Sequence, residues 1–407
     1  MRTLPFEDPA SALSKRVAWV VLGVGVSCAL HIGKLPVAIP VLRDALDVSL
    51  VQAGFLLSMV QLAGMTLGLL VGLGADRFGP RRVMQIGLLL LALASGLGAM
   101  AQQVPWLLAS RALEGVGFLL SVLPAPALLR QRVAHPHTLS KALGWWGAYM
   151  PLGTAIALLA GAALIGEVGW RGAWQALSAV SVLAFLALTR AVPPPAVSHA
   201  VAAHAPLGPR LRRTLAAPGP WLVALGFFLY SGQWLAVVGF LPTVYQQAGY
   251  TGGLVAVLTA LAAAVNIVGN VMAGRLLAKG VGPGRLMSFA YGVMGMGAVL
   301  AFAGDVPPLV AYLAVLLFSG VGGLIPGTLF GVSVRLAPDD DTVSTTVGWM
   351  QQLSALGQFI GPPAVAWLAS VVGNWHWTGI ATGACSLLGL WVAARVQRAW
   401  SSVHGRE

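Results

Sequence analysis

The stretch from Gly72 to Arg82 reads Gly-Leu-Gly-Ala-Asp-Arg-Phe-Gly-Pro-Arg-Arg and lies between two long apolar segments. It holds four charged residues and three glycines, in a chain of which only 9% of the residues are charged. Charged side chains avoid the hydrocarbon core of a membrane because removing them from water costs several kcal/mol. We therefore interpret this stretch as a hairpin between two membrane-spanning helices.

The composition of the whole chain agrees with a membrane protein. Apolar residues make up 57% of the 407 residues, whereas about 25% of the residues of a soluble domain are charged. The net charge of +12 could suggest a nucleic-acid partner. However, the basic residues lie in short segments between apolar runs and not along one stripe with interleaved aromatic residues. We therefore expect a lipid bilayer, and no nucleic acid, around this chain.

Twelve segments reach the length that a membrane helix requires, which is about 20 apolar residues. They are predicted near 17–39, 51–73, 83–101, 106–129, 140–164, 172–190, 221–245, 254–277, 286–304, 309–335, 344–370 and 377–395. The fold class is therefore all-α integral membrane, with twelve transmembrane helices. The predicted parts are a cytoplasmic N-terminus (1–16), a six-helix half (17–190), a cytoplasmic linker (191–220), a second half (221–395) and a cytoplasmic tail (396–407).

The orientation in the membrane is predicted from the basic residues. Lys and Arg accumulate in the cytoplasmic loops of membrane proteins. If both termini are cytoplasmic, 20 of the 24 Lys and Arg residues fall on that side. We therefore predict a multi-pass protein of a bacterial-type inner (plasma) membrane with both termini in the cytoplasm.

The two halves repeat each other at a nearly constant offset. Trp19 corresponds to Trp221 at an offset of 202, and Gly115 corresponds to Gly320 at an offset of 205. The opening hairpin has a second copy at 274–285, in which Ala278 stands where the first copy has Asp76. Two parallel six-helix repeats predict a pseudo-twofold axis along the membrane normal and a substrate site between the halves near mid-depth.

The hairpin pattern resembles the signature loop of the major facilitator superfamily, and Arg111-x-x-x-Gly115-x-Gly117 is similar to the helix-4 motif of that family. The resemblance implies two pseudo-symmetric halves, secondary transport by alternating access, and a conformational latch formed by the hairpin. The latch residues are Gly72, Asp76, Arg77, Gly79, Arg81 and Arg82. The alternative for the three arginines is that they only keep the loop in the cytoplasm.

Two further motifs concern the branch of the family. Residues 239–245 in helix 7 resemble the cyanate-permease branch, although the Asn-x-Arg anion site of that branch is absent from helix 1. The helix-5 antiporter motif is incomplete at 147–153, whereas a better match, 357–362, lies in helix 11. The incomplete motif weakens the case for drug–proton exchange.

His31 and Lys34 lie three residues apart in helix 1 and therefore on one face. Both fall well inside the apolar segment, where an ammonium group needs a counter-charge, water or an anionic ligand. We predict that both residues bind substrate in the central cavity and that His31 also takes part in proton coupling. The alternative is that Lys34 extends to the outer interface and His31 bonds to a neighbouring helix. Pro36 and Pro40 are expected to break helix 1 just beyond this pair.

Arg111 and Glu114 form a second pair with the same spacing, in helix 4. Glu114 is the only acidic residue deep in any predicted helix, so it is the candidate proton carrier, with Arg111 beside it. The alternative is a structural ion pair in which the two charges neutralise each other.

Polar and aromatic side chains in helices 5, 7, 8 and 11 complete the predicted substrate site. Amide groups inside a membrane need hydrogen-bond partners, and aromatic rings can stack on a planar or apolar solute. The candidates are Trp145, Tyr149, Tyr230, Gln233, Trp234, Asn266, Asn270, Trp349 and Gln352.

The predicted function is secondary active transport by alternating access, in which a small organic anion is taken up across the inner membrane together with a proton. The alternative is a proton-driven exporter of a drug-like compound or a secreted metabolite. No phosphate-binding loop and no catalytic or metal-ligand pattern occurs in the sequence, so we expect neither an enzyme nor a cofactor nor a bound metal. The expected partners are the solute, protons and lipid, and the expected state is a monomer.

Overall fold

The chain forms a bundle of long helices. A computed structural model describes residues 9–134, 136–194, 207–304 and 306–404. Within these ranges, the side chains of 9–12, 72–77, 136–137, 140, 207 and 403–404 are not described. An apolar chain in a bilayer has to satisfy its backbone hydrogen bonds internally, and helices do so within one segment.

The first half contains helices 1 to 6, several of which are built from shorter pieces. Helix 1 is Pro9–Leu46, helix 2 is Leu50–Ser58, Met59–Gln61 and Leu62–Phe78, helix 3 is Pro80–Ala99, and helix 4 is Val104–Val122 and Ala125–Arg132. Helix 5 begins with Pro136–Trp146, and the segment Tyr149–Ala191 contains the rest of helix 5 and all of helix 6.

The second half contains helices 7 to 12. Helix 7 is Pro218–Gln247, helix 8 is Gly252–Ala264 and Asn266–Ala278, helix 9 is Pro283–Phe302, helix 10 is Pro308–Gly322 and Leu324–Leu336, helix 11 is Asp340–Thr342 and Val343–Val372, and helix 12 is His376–His404.

The predicted fold is confirmed. Among the described residues, 11 helices are long and apolar enough to span a membrane. The longest, Tyr149–Ala191, has 43 residues and would measure about 65 Å, roughly twice the thickness of the hydrocarbon core. Gly169 has a φ of 70° inside it, a conformation that ends an α-helix. The residues before Gly169 therefore belong to helix 5 and those after it to helix 6. With this division the described residues contain twelve membrane-spanning helices.

The expected break in helix 1 is wrong. The helix continues through Pro36 and Pro40 to Leu46. Each proline removes one backbone donor from the helix, and packing against neighbouring helices tolerates such a loss inside a membrane protein. On this part of helix 1, Leu35 and Ile39 are buried in a core shared with Trp174 of helix 6.

The two halves meet most extensively along helices 2 and 11. Gln61 donates to Gln358 at 3.1 Å, and Gln352 donates to the carbonyl of Met65 at 2.7 Å. Nearer the loop between helices 1 and 2, Phe55 packs edge-on against Phe359 with 6.4 Å between ring centroids. Helices 2 and 11 therefore link the halves over most of their length.

Helices 5 and 8 form a less complete contact. We call the side of the bundle that carries both chain ends the linker side, and the opposite side the far side. Helix 5 packs closely against the far-side segment of helix 8, Gly252–Ala264, but only slightly against its linker-side segment, Asn266–Ala278. On the linker side of helix 5, Trp145 is 51% exposed. The halves are thus closed together on the far side and separated on the linker side at this contact.

The segment predicted as a linker contains a helix, Leu207–Ala216, which the sequence reasoning did not predict. Its buried Arg210 donates to the carbonyl of Asp341 at 2.7 Å and to the hydroxyl of Ser344 at 2.5 Å. Arg213 forms an ion pair with Asp339 at 2.8 Å. These contacts attach the linker helix to the beginning of helix 11.

Close approach of helices 7 and 11 gives a first testable prediction. A side chain at Gly232 would place its Cβ 2.8 Å from the carbonyl oxygen of Gly357, which is backbone and cannot move aside cheaply. Gly232→Val should therefore lower the free energy of unfolding by about 1–3 kcal/mol. Thermal unfolding in detergent measures this. Gly292→Val in helix 9 is the control because its Cβ would meet no atom within 4 Å. Equal losses in both variants would contradict the close approach.

Candidate functional site

The two polar residues of helix 1 meet the charged pair of helix 4 inside the first half. Lys34 is 3% exposed, and its Nζ donates to Glu114 Oε1 at 2.6 Å, to Ser95 Oγ at 3.1 Å and to His31 Nδ1 at 3.3 Å. The ammonium also lies over the ring of Trp174, 4.4 Å from its centroid. All three ammonium hydrogens therefore have acceptors, because an ammonium group carries three donors.

Arg111 holds the other oxygen of the same carboxylate. Its Nη1 donates to Glu114 Oε2 and, at 3.0 Å, to the backbone carbonyl of His31, while its Nε donates to the carbonyl of Leu56 at 3.2 Å. Arg111 and Glu114 are both fully buried. The remaining nitrogen, Arg111 Nη2, is buried and has no hydrogen-bond partner among the described residues.

The hydrogen bonds of His31 determine which of its two ring nitrogens carries a proton. Ser181 Oγ donates to the carbonyl of Leu177 at 3.1 Å, so it accepts from His31 Nε2 at 2.9 Å. His31 Nδ1 accepts from Lys34. An imidazole that donates with one nitrogen and accepts with the other is neutral. The group formed by His31, Lys34, Arg111 and Glu114, here called the charge cluster, therefore holds two cations and one carboxylate.

The charge cluster lies within the first half. Its side chains come from helices 1 and 4, and their partners come from helix 3 (Ser95) and helix 6 (Ser181, Trp174). It is not exposed to the space between the halves, where the sequence reasoning placed His31 and Lys34. Direct contact of these residues with a solute stays a prediction.

The second half repeats part of this arrangement without charge. Gln233, the repeat counterpart of His31, accepts from Ser386 at 2.9 Å, just as His31 bonds to Ser181. Ser319 stands where the first half has Glu114, and it accepts from the indole of Trp234 at 3.0 Å. We call the group formed by Gln233, Ser386, Ser319 and Trp234 the neutral cluster. The charge cluster and the neutral cluster therefore lie at equivalent places in the two halves.

The amides of helix 8 extend the neutral cluster. Asn266 is 2% exposed and donates to Tyr230 Oη at 2.8 Å and to the carbonyl of Ser319 at 2.7 Å. Asn270 donates to Asn266 Oδ1 at 2.9 Å. The structure thus brings together four predicted site residues of helices 7 and 8: Tyr230, Trp234, Asn266 and Asn270.

The remaining predicted substrate residues lie nearer the linker side. Tyr149 stacks on Trp146 with 4.5 Å between ring centroids, and about half of the surface of Trp145 is exposed. In helix 11, Trp349 packs edge-on against Trp221 at 4.9 Å. Trp349 Nε1 and Gln352 Oε1 are buried and have no partner among the described residues.

The hairpin residues are only partly described. The side chains of Gly72, Asp76 and Arg77 lie outside the described residues. Gly79 immediately precedes helix 3 with a φ of 85°, and Arg81 donates to the carbonyls of Val192 at 2.6 Å and Thr189 at 3.1 Å. These carbonyls end helix 6, so Arg81 caps a helix of its own half. Arg82 is exposed. The latch stays a prediction.

Sequence reasoning missed the neutral partners of the charge cluster. Ser95, Trp174 and Ser181 each bond to or stack on a predicted residue. Ser181 and Ser386 stand at an offset of 205, so the repeat carried a signal for this pair. Within the described ranges, no three His, Cys, Asp or Glu side chains are placed to hold a metal ion.

The sequence of the chain is similar to those of several known proteins. The puromycin resistance protein of Streptomyces alboniger is 36% identical over 151 residues, which are 37% of this chain and only 30% of that protein. Monocarboxylate transporter 13 of Rattus norvegicus is 26% identical over 340 residues, covering 77% of this chain and 73% of that protein. The plastidic glucose transporter 4 of Arabidopsis thaliana is 27% identical over 380 residues, covering 79% of this chain and 68% of that protein.

The solved structures give the same fold. A bacterial homolog of the human lysosomal transporter Spinster, in an inward-facing and occupied conformation, superposes with a TM-score of 0.73 at 16% identity, covering 95% of this chain and 94% of that chain. The profile described as Major Facilitator Superfamily matches residues 20–362. The chain therefore belongs to the major facilitator superfamily, whose members are membrane transporters and not enzymes.

Proposed function

We propose that this transporter moves a small organic anion across the membrane by alternating access, together with a proton. The observation that carries the proposal is the charge cluster, in which Lys34 and Arg111 face the single carboxylate of Glu114. With His31 neutral, one positive charge is left over at a fully buried place. An unmatched charge inside a membrane protein costs several kcal/mol, and an anionic solute would offset that cost.

Arg111 supplies a donor for such a solute. Its Nη2 is buried and has no partner among the described residues. An unused buried N–H costs about 1–3 kcal/mol or more when the group is charged, and a carboxylate oxygen is the strongest acceptor it can gain. We infer that the solute carboxylate bonds to this nitrogen when the surrounding helices open.

Proton coupling would follow from competition for the two cations. In the present state Glu114 occupies both of them with its two oxygens. A solute anion that takes over Lys34 or Arg111 leaves the Glu114 carboxylate without part of its counter-charge in a dry environment. A proton taken up by Glu114 removes this uncompensated carboxylate charge, because burial penalises an ion without its counter-charge, and the net charge of the cluster is then the same as without solute. Anion and proton would then travel in a fixed ratio.

The relatives are compatible with two directions of transport. The monocarboxylate transporter of the rat aligns with most of this chain, which supports an organic anion as the solute. The puromycin resistance protein aligns with a shorter segment at higher identity, which supports export of a drug-like compound as the second candidate. The exposed Trp145 favours this second candidate, since an aromatic ring stacks on planar compounds. The cyanate-permease branch stays a prediction.

Reconstituted protein tests the proposal. Proteoliposomes are loaded at pH 7.5 and diluted into buffer at pH 6, with radiolabelled monocarboxylates as one group of solutes and puromycin as the other. We expect accumulation of at least one monocarboxylate, and collapse of that accumulation when a protonophore removes the gradient. If one solute carboxylate replaces the Glu114 carboxylate at the two cations, one proton is expected for each monovalent anion, which a pH-sensitive dye inside the vesicles measures.

The control is the same preparation with equal pH on both sides. Accumulation that survives the protonophore would contradict proton coupling. Movement of puromycin alone, outward and against its gradient, would replace the first candidate with the second.

A further inference from the structure

Trp174 of helix 6 contacts the charge cluster through the face of its ring. Lys34 Nζ lies over that ring, 4.4 Å from its centroid. The side chain is fully buried, and its Nε1 has no hydrogen-bond partner among the described residues. The negative face of an indole ring attracts a cation, most strongly where water is excluded. The side chain of Trp174 therefore acts on the cluster through its ring and not through its N–H group.

The backbone of Trp174 supports the same ammonium group. Ser95 Oγ donates to the carbonyl of Trp174 at 2.9 Å and accepts from Lys34 Nζ at 3.1 Å. A hydroxyl has one hydrogen to donate, and the carbonyl of Trp174 uses it, so the hydroxyl oxygen is turned into an acceptor for Lys34. Helices 3 and 6 thus hold the ammonium group with two neutral groups, a hydroxyl oxygen and an aromatic ring.

The second half has neither the cation nor the ring. At offsets of 202, 203 and 205, the positions of Lys34, Ser95 and Trp174 are taken by Ala236, Ala298 and Gly379. A Cβ on Gly379 would lie 2.7 Å from the carbonyl oxygen of Ala298, so helix 12 packs directly against helix 9 there. The six-helix repeat therefore packs without a ring at this position. The ring is found in the half that has a buried ammonium group beside it, which indicates a role that involves this group.

The counter-charge of Lys34 depends on the protonation of Glu114. Among the described residues, Glu114 supplies the one carboxylate that pairs with Lys34, and Arg111 shares it. The other two hydrogen-bond acceptors of the ammonium group, Ser95 and His31, are neutral. If Glu114 takes up a proton while a solute carboxylate lies at Arg111, Lys34 stays buried without a carboxylate. Such a cation is unfavourable, and the face of the Trp174 ring is the negative group that remains beside it.

We propose that Trp174 is a positioning residue that holds the Lys34 ammonium group when Glu114 is neutral. This inference rests on the proposed function, in which Glu114 takes up a proton as the solute anion binds. In the solute-free transporter the ion pair with Glu114 already holds Lys34, so the ring contributes less. In the solute-bound transporter the ring replaces part of the attraction of the carboxylate. Trp174 therefore stabilises the solute-bound state more than the solute-free state.

Counterflow exchange of the transported monocarboxylate at equal pH tests this role. Site-specific incorporation replaces Trp174 by mono-, di- and trifluorinated tryptophan. Fluorine withdraws electrons from the ring and leaves its shape almost unchanged, so only the attraction for the ammonium group weakens step by step. The solute concentration for half-maximal exchange should rise with each fluorine, to about fivefold for the trifluorinated ring. Trp174→Phe keeps an aromatic face and should raise it about threefold, against about tenfold for Trp174→Leu.

Thermal unfolding in detergent tests the same contact without transport. Trp174→Phe is introduced into the parent protein, into Lys34→Met and into Glu114→Gln, which imitates protonated Glu114. The melting temperature should fall least in Lys34→Met, where no ammonium group lies over the ring. It should fall more in the parent protein and most in Glu114→Gln, by about 2–4 °C more than in Lys34→Met.

Trp170→Phe is the matched control for both measurements. Trp170 lies in the same core, packs edge-on against Trp174 with 5.6 Å between ring centroids, and stacks with Arg171, which lies outside the charge cluster. Trp170→Phe should therefore leave the half-maximal concentration unchanged, and its effect on the melting temperature should not depend on Lys34.

Three results would overturn the proposal. The first is a half-maximal concentration that does not respond to fluorine. The second is an equal loss of exchange in Trp170→Phe and Trp174→Phe, which would make the ring a packing group. The third is an equal fall of the melting temperature in the parent protein and in Lys34→Met, whether or not Glu114→Gln can be purified. If the parent protein exchanges no monocarboxylate, the proposed function fails, and the thermal comparison still decides the role of Trp174.

Discussion

Glu114→Gln is expected to destabilise the protein by about 3–5 kcal/mol, whereas Lys34→Met should change its stability by no more than about 1 kcal/mol. Both substitutions remove the same ion pair, in which Lys34 Nζ lies 2.6 Å from Glu114 Oε1, so the loss of this pair alone predicts equal effects. The difference arises from charge. Glu114→Gln leaves Lys34 and Arg111 as two buried cations without a counter-ion, while Lys34→Met removes the excess positive charge and keeps the Arg111–Glu114 ion pair.

Thermal unfolding of the purified variants in detergent measures this difference. The double variant Lys34→Met, Glu114→Gln is the matched control, because it leaves only the Arg111 cation. Its stability should lie between the stabilities of the two single variants. If Lys34→Met is as destabilising as Glu114→Gln, the cluster does not hold a surplus cation, and the main support for an anionic solute is lost.

The number of helices and the two halves could be predicted from the sequence because each depends on a strong local signal. A run of about 20 apolar residues is required of every membrane helix, and pairs such as Trp19 and Trp221 fix the repeat. The errors occurred where packing between helices decides the outcome. Helix 1 continues through Pro36 and Pro40 because neighbouring helices hold it in place, and the linker helix exists because Arg210 finds partners at the start of helix 11.

The site was predicted as two separate pairs, His31 with Lys34 and Arg111 with Glu114. Spacing of three residues places each pair on one face of its own helix, but it gives no information about which helix that face meets. The structure brings the two pairs together in one cluster. Their orientation into the first half follows from the packing of helices 1, 3, 4 and 6, which periodicity does not determine.

The neutral cluster of the second half indicates how the two halves could divide their roles. Gln233 and Ser319 stand where the first half has His31 and Glu114, and they form only neutral hydrogen bonds. A neutral network has no surplus charge to offset, so it offers a solute polarity and shape but no counter-ion. If an anion is transported, its charged group should be held by the first half, and the second half should contact the rest of the molecule.

Lys34→Met should therefore raise the concentration of a transported monocarboxylate needed for half-maximal exchange by about 10–100-fold. A hydrogen bond to a charged group contributes about 1.5–3 kcal/mol, and each 1.4 kcal/mol corresponds to a factor of ten. Counterflow exchange in proteoliposomes at equal pH measures this effect without a contribution from the proton gradient. Because Lys34→Met is expected to fold normally, a loss of exchange cannot be attributed to unfolded protein.

Gln233→Leu is the matched control for this second prediction. It lies at the position in helix 7 that corresponds to His31, and it removes a buried polar group that carries no charge. If the solute is held through its negative charge, Gln233→Leu should change the half-maximal concentration several-fold less than Lys34→Met does. If the two variants weaken exchange equally, or if Lys34→Met has no effect, then Lys34 is a structural partner of Glu114. In that case Lys34 would act within the first half only, and the binding of an anion would have to be sought at buried donors of helix 11 that have no partner among the described residues, such as Trp349 Nε1.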